Sequence, residues 1–250
     1  MKLHNALNVA IAVTVVAATA VIPATAYASS PPDPAAAVAK QLRAGRGVKL
    51  AETAKITLGS EIISYRIKGT FAFGKSGIAA ADVIRVPIVD GKTGDTFHFR
   101  VVDGVTYAYG GAWGEEWTQV NQKFKPREFS EQNIDIFERA TLRKLLTTTA
   151  RRTPGGTVGG VRTTAYSGTV DFGTMHAVSP AFRDEFGKLS AKAKKARITW
   201  RLWVDGKGLP RRLTTSWKRR ADDLPMGTGS NVTTNYDAWG SKVTVTSPLE

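Results

Sequence analysis

The chain reads as an α+β protein, an antiparallel sheet with helices gathered on one face. Three observations predict this. Apolar residues alternate with a period of two through most of residues 48–120 and again over 198–248. A period of 3.6 is confined to a few short blocks. The resulting order is helix, many strands, helix, strand, helix, strands, so helices separate blocks of strands instead of following each one.

Residues 1–28 carry a short basic start (Lys2, with His4), an apolar run from Val9 to Ile22 and Ala26-Tyr27-Ala28, the small-x-small pattern of a signal-peptidase site. The run, interrupted by Thr14 and Thr19 and closed by Pro23, is shorter than the ~20 residues of a membrane span. The expectation is a cleaved secretory signal, with a retained N-terminal anchor as the alternative. A linker over 29–33 and one domain over 34–250 would follow. Asp33-Pro34 supplies an N-cap and an N1 proline for a helix through about Ala44, ended by Gly45.

Ile63, Tyr65, Ile67, Phe71 and Phe73 then alternate with Ser64, Arg66, Lys68 and Thr70. Val83 to Val89 is a second strand, and Pro87 argues for an edge or a bulge. Phe97, Phe99 and Val101 run into Asp103-Gly104, a two-residue hairpin signal, and Val105, Tyr107 and Tyr109 bring the chain back, placed on the same apolar side. Residues 129–149 change period: Ile134, Phe137, Thr141, Leu142, Leu145 and Leu146 would share one face of a long helix. Arg151 to Gly160 reads as a Gly/Thr/Pro loop, Tyr166 to Phe172 as a strand, and Ser179-Pro180 as the cap of a helix directing Phe182, Phe186 and Leu189 inward. Residues 198–248 read as two tandem hairpins, four strands in all, with turns at Asp205-Gly206 and Trp239-Gly240 and a stop at Pro248.

The wording of this last stretch, W-x-D-x-x-G-x-P-x-R (Trp203 to Arg212) and Y-x-x-W-G-x-x-V-x-V-x-x-P (Tyr236 to Pro248), resembles the actinobacterial LppX/LprG-type envelope proteins of the LolA-like superfamily. The likeness is most specific over the last 50 or so residues; elsewhere it rests on the order of elements. It implies a strongly curved antiparallel half-barrel of about 10 strands, helices packed on its concave face, and between them a hydrophobic cavity for a lipid or other amphiphile. It also implies a place at the extracellular face of the envelope. Members that carry a lipid anchor attach it to a Cys after the signal, and this chain has no cysteine.

On that reading Tyr65, Ile67, Phe71, Phe99, Val101, Phe137, Leu145 and Trp200 line the cavity, and Arg151, Arg152, Arg211 and Arg212 stand at its rim for an anionic head group. A net charge of +14 also favours an anionic membrane or wall polymer as a contact, docking or sensing being the alternative function. No catalytic class is expected. Thiol chemistry is excluded, no G-x-S-x-G elbow is present, and His98 and His176 stand without ligand-spaced partners. Glu115-Glu116 and Asp184-Glu185 are adjacent acids, which usually face different ways. No metal, cofactor or nucleic acid is expected; Trp200, Trp203 and Trp217 are the aromatics a nucleic-acid platform would need.

Overall fold

Helix α1 (Pro34–Gln41) starts where its cap predicts, with Asp33 Oδ1 accepting from Ala35 N at 2.9 Å. It stops three residues before Ala44. The computed structural model describes residues 32–75, 77–218 and 229–249, all within one compact unit, Pro31–Glu250. The expected signal (1–28), the start of the linker and the bases Arg219 and Arg220 lie outside the described residues.

Six strands follow: β1 (Arg46–Leu58), β2 (Glu61–Phe73), β3 (Ile78–Val89), β4 (Lys92–Thr93), β5 (Phe97–Val102) and β6 (Val105–Tyr109). After β7 (Thr118–Val120), a 3-10 turn (Pro126–Phe129) leads to α2 (Arg139–Thr147). Then come β8 (Thr149–Val158), β9 (Val161–Asp171), α3 (Phe172–Val178), α4 (Pro180–Phe186) and α5 (Ala191–Lys194). The chain closes with β10 (Arg197–Asp205), β11 (Pro210–Lys218) and β12 (Gly229–Lys242). The order across the sheet is β7-β6-β5-β3-β2-β1-β12-β11-β10-β9-β8, with β4 on β3 and every pairing antiparallel. The protein is thus an α+β curved half-barrel, open, with 12 strands in place of about 10.

Alternation holds across the sheet. On β1, Val48, Leu50, Glu52 and Ala54 are buried while Lys49, Ala51, Thr53 and Lys55 are exposed. The register carries the inner set onto Tyr65, Ile67 and Phe71 of β2 and onto Val232, Thr234 and Tyr236 of β12. Leu142 and Leu145 of α2, Met175 of α3 and Phe182 of α4 pack into the same buried cluster as these strands.

Five expectations are corrected. Residues 130–138 are not helix: α2 begins only at Arg139, because Gln132, Asn133 and Asp135 direct their amides and carboxylate into local and cross-chain bonds that a helix cannot make. The supposed loop 151–160 is the edge strand β8, where Pro154 costs no central ladder bond and the register shifts beside Gly155 and Gly156. The single helix after Ser179 is two, α4 and α5, broken at Gly187 (φ 56°). The C-terminal meander has three strands. Trp239-Gly240 does not reverse the chain but forms a bulge, with Ala238 to Gly240 opposite the single residue Val48, Ala238 at φ 52° and Gly240 at φ 71°. Finally, Tyr107 and Tyr109 face outward. The Asp103-Gly104 turn (φ 51° and 76°) sets Phe99 opposite Ala108 and Val101 opposite Thr106, so the tyrosines join His98 and Arg100.

Candidate functional site

A strap over residues 124–138 crosses the inner face of the sheet. Phe124 meets Phe129 at a tilt and Phe129 stacks on Phe99, with centroids 5.6 and 4.7 Å apart; Ile134, Ile136 and Phe137 are buried further along. Phe137 meets Phe71, Phe73, Tyr236 and Trp239 at 5.7–6.0 Å. Such contacts between bulky rings account for the depth of burial.

Polar bonds set the register of the strap. Glu52 stands on the apolar side of β1, 2 % exposed. Its carboxylate accepts from Ser130 Oγ, Glu131 N and Thr234 Oγ1, each at 2.7 Å. Gln132 Nε2 donates to Thr234 Oγ1 (3.2 Å) and Leu213 O (3.4 Å), while Gln132 Oε1 accepts from Thr215 Oγ1. Asn133 Oδ1 accepts from Trp217 Nε1 at 2.9 Å, and Asn133 Nδ2 donates to Glu185 Oε1 at 2.6 Å. Buried groups of this kind are tolerable because they are bonded to one another.

Between the strap, the β2–β3 turn (Gly74 to Ala79) and α4 lies a cavity of about 910 Å³. Phe137, Ile78, Ala79, Pro126, Pro180 and Ala181 supply its apolar wall. Its polar wall holds Lys75, Lys125 and Arg127 among six carboxylates: Glu128, Glu131, Asp135, Glu138, Asp184 and Glu185. Glu138 ties the starts of α2 and α4 together, accepting from the hydroxyls of Thr141 (2.7 Å) and Ser179 (2.6 Å) and from Ala181 N at the first turn of α4 (3.2 Å). Lys125 pairs with Asp184, and Arg85, lying 3.9 Å over the ring of Tyr65, pairs with Glu131.

Arg127 is the electrostatic centre of the wall, its Nε 3.7 Å from Asp135 Oδ2. Desolvation works against its charge, but Asp135, Glu185 and Glu52 outweigh it and hold the guanidinium above its usual range. Burial pushes the Asp135 and Glu131 carboxyls up despite Arg127 and Arg85. Glu185, an exposed residue whose Oε1 accepts from Asn133 Nδ2, is pushed up to about 7, chiefly by desolvation at the cavity wall.

The expected lining residues divide. Phe137 lines the cavity. Ile67, Phe71, Val101, Leu145 and Trp200 are fully buried, and Tyr65 and Phe99 are half-buried against the same cluster. The four arginines stand apart from this cavity and from one another. Arg151 and Arg152 are exposed on β8, the latter 5.4 Å from the Tyr166 ring. Arg211 is buried and bonded to Asp237 Oδ1 at 2.8 Å, while Arg212 faces outward and donates to Asn235 Oδ1 at 2.7 Å. Trp200 and Trp217 are internal, leaving Trp203 outside. His98 also faces outward, bonded to Asp82. Among the described residues no cluster of metal-ligating side chains occurs, and no helix is long and apolar enough to cross a membrane.

Sequence reading missed Glu52 and the strap. The available signal was Glu52 itself, a carboxylate in the apolar register of Val48-x-Leu50-x-Glu52-x-Ala54, which demands buried donors.

No family model and no curated protein matches the chain. Among solved structures it is similar to LprF from Mycobacterium bovis, at 15% identity over 86% of this chain and 95% of that one, with a TM-score of 0.48. It is also similar to a putative outer membrane lipoprotein-sorting protein domain from Vibrio parahaemolyticus (9% identity, 82% and 88% covered, TM-score 0.27). A LolA superfamily protein from Nitrosomonas europaea matches at 6% identity, 82% and 90% covered, TM-score 0.23. At these values the likeness assigns no activity.

Proposed function

We propose that this chain is an envelope-located, non-enzymatic binding protein for a lipid or other amphiphile, with the cavity beside the strap as its entry site. The observation that carries the proposal is the position of Phe137. It lines a cavity of about 910 Å³ and also touches the buried aromatic cluster, so an apolar chain entering beside it would lie one ring away from that cluster. A volume in this range suits a ligand of moderate size. Burial of the chain would contribute ~0.8 kcal/mol per CH₂. The head group would lie against Lys75, Lys125, Arg127 and the surrounding carboxylates, which offer donors and acceptors together. Ile67, Phe71, Phe99, Val101, Tyr65, Leu145 and Trp200 would form the deeper surface reached if the strap lifts. The secretory pattern of residues 1–28 supports the envelope location.

Native mass spectrometry of the secreted protein, followed by organic extraction, tests this reading. An extractable adduct of lipid mass is expected, retained between 0.1 and 1 M salt and lost in Ala181→Trp, which fills the mouth. A clean apo mass with no uptake of added lipids would overturn it.

A further inference from the structure

The outer face of the sheet carries a second, chemically opposite feature. Trp203 lies flat there, seated over Gly155 and Ala165: a Cβ on Gly155 would come within 2.9 Å of Trp203 Cδ1. Arg201 and Arg212 approach the same ring at 4.6 and 5.5 Å. Two guanidiniums thus share one indole with no carboxylate on either among the described residues. Their like charges repel, and a tryptophan seat with a neutral Asn235 contact is all that orients them.

Register extends this group into two rows that cross the strands. One runs from Arg151 past Ser167 to Arg201 and on through Thr214, Thr233 and Thr53 to Arg66. The other runs from Trp203 and Arg212 past Asn235 and Ala51 to Lys68. With strands 4.7–4.9 Å apart, successive bases along each row lie roughly 10–20 Å from one another, and the first row spans roughly 30 Å from Arg151 to Arg66. Among the described residues of this face, Asp82 pairs with His98 and Arg100, Asp237 pairs with Arg211, and Asp171 accepts from Thr174 N.

We propose that this face is a docking surface for a linear polyanion whose repeating charge is a phosphodiester, running across the strands along the two rows. Charge complementarity supplies the attraction, and the Arg201–Trp203–Arg212 group supplies a fixed pair of guanidiniums that bond phosphate oxygens through their planar forks. A flexible polymer fits better than a bilayer for two reasons. The sheet is curved, so a plane meets only part of either row. Trp203 lies in its seat instead of projecting as an interfacial anchor would. The inference stands independently of the cavity.

The test measures binding of the full chain to a synthetic poly(glycerol phosphate) as a function of salt. The slope of log K against log salt should become shallower by about 1.4 in the double variant Arg201→Gln/Arg212→Gln, at about 0.7 per lost phosphate contact on a single-stranded polyanion. A similar change is expected from Arg151→Gln/Lys68→Gln, which leaves the Trp203 seat intact and so guards against misfolding of the first pair. Arg139→Gln/Lys144→Gln on α2 removes the same charge elsewhere and should leave the slope unchanged. Equal losses from all three variants would reduce the effect to net charge and overturn the proposal. Absence of parental binding would overturn it too, as would Arg201- and Arg212-dependent binding to anionic phospholipid vesicles but not to the polymer.

Discussion

The two faces of this sheet are written in the same strands, one residue apart, and they have opposite chemistries. The inner face buries aromatic and aliphatic side chains and bonds most of its polar groups to one another, as with Glu52, Gln132 and Asn133, while Ser230 Oγ is left without a partner. The outer face is a field of threonines and bases in which Thr214 and Thr233 touch at 3.1 Å and most side chains keep their water. Carboxylates gather around the inner cavity, whereas on the outside Arg201 and Arg212 share an indole with no carboxylate on either among the described residues. Polarity alone therefore does not separate inside from outside here; the bonding of the inner polar groups to one another does, with Ser230 Oγ the exception.

The most severe break in that contrast is Glu52→Ala. It strands Ser130 Oγ, Glu131 N and Thr234 Oγ1 as buried donors, and unsatisfied groups cost more than the bonds they lose. A loss of roughly 3–5 kcal/mol in the free energy of urea unfolding is expected. A loss below ~1 kcal/mol would mean that water replaces the carboxylate and that the strap is not anchored there.

The same contrast decides what could be read from the chain. Where one face is apolar and the other polar, as on β2 and β10, alternation placed the apolar side chains correctly, and on β5 it set His98 away from Phe97 and Phe99. Where both faces are mixed it failed. β8 has Gly155, Gly156 and Pro154 and only one buried side chain, Val158, so nothing in it alternates. The strap has Ile134 and Phe137 at helical spacing and in phase with Leu142 of α2, yet Asp135 Oδ1 accepts from Phe137 N and Arg127 bonds Ser130 O, which local periodicity does not register. Arg211 and Arg212 are adjacent in sequence, yet Arg211 is buried and pairs with Asp237 while Arg212 lies by the Trp203 ring and Asn235, a division that adjacency does not register. The cavity arises from residues distant in sequence, Gly74 to Ala79, Lys125 to Glu138 and Pro180 to Glu185, and no single segment announces it.

Acid titration sharpens the comparison, because the two faces shift their carboxyls in opposite directions. Glu185, raised to about 7, and the raised Asp135 and Glu131 hold their protons more tightly folded than unfolded. Their contribution is full below the usual carboxyl range and is lost as pH rises through the folded value. Stability should therefore rise as pH falls from about 7 toward 4.5, the interval between the folded and model values of Glu185. Asp82 behaves oppositely: burial raises it, but His98 and Arg100 win and hold it below 3.8, so its contribution is present above that pH and lost in stronger acid. Thermal unfolding across this range should show the gain near neutrality flatten in Glu185→Gln. A slope unchanged by that substitution would remove Glu185 from the buried set.

Thr214→Ala sets the lower bound. Its hydroxyl meets Thr233 Oγ1 on the outer face, half-buried, with water free to replace the partner, so the bond exchanges for one of similar worth. The urea midpoint should move by an amount equivalent to about 0.5 kcal/mol or less. A shift of 2 kcal/mol or more, measured beside Glu52→Ala, would show that the outer threonines form a cooperative array, on the order of one inner-face network bond each. In that event the two faces would differ in sign of charge alone, and the outer rows would gain a rigidity that the docking of a flexible polyanion does not require.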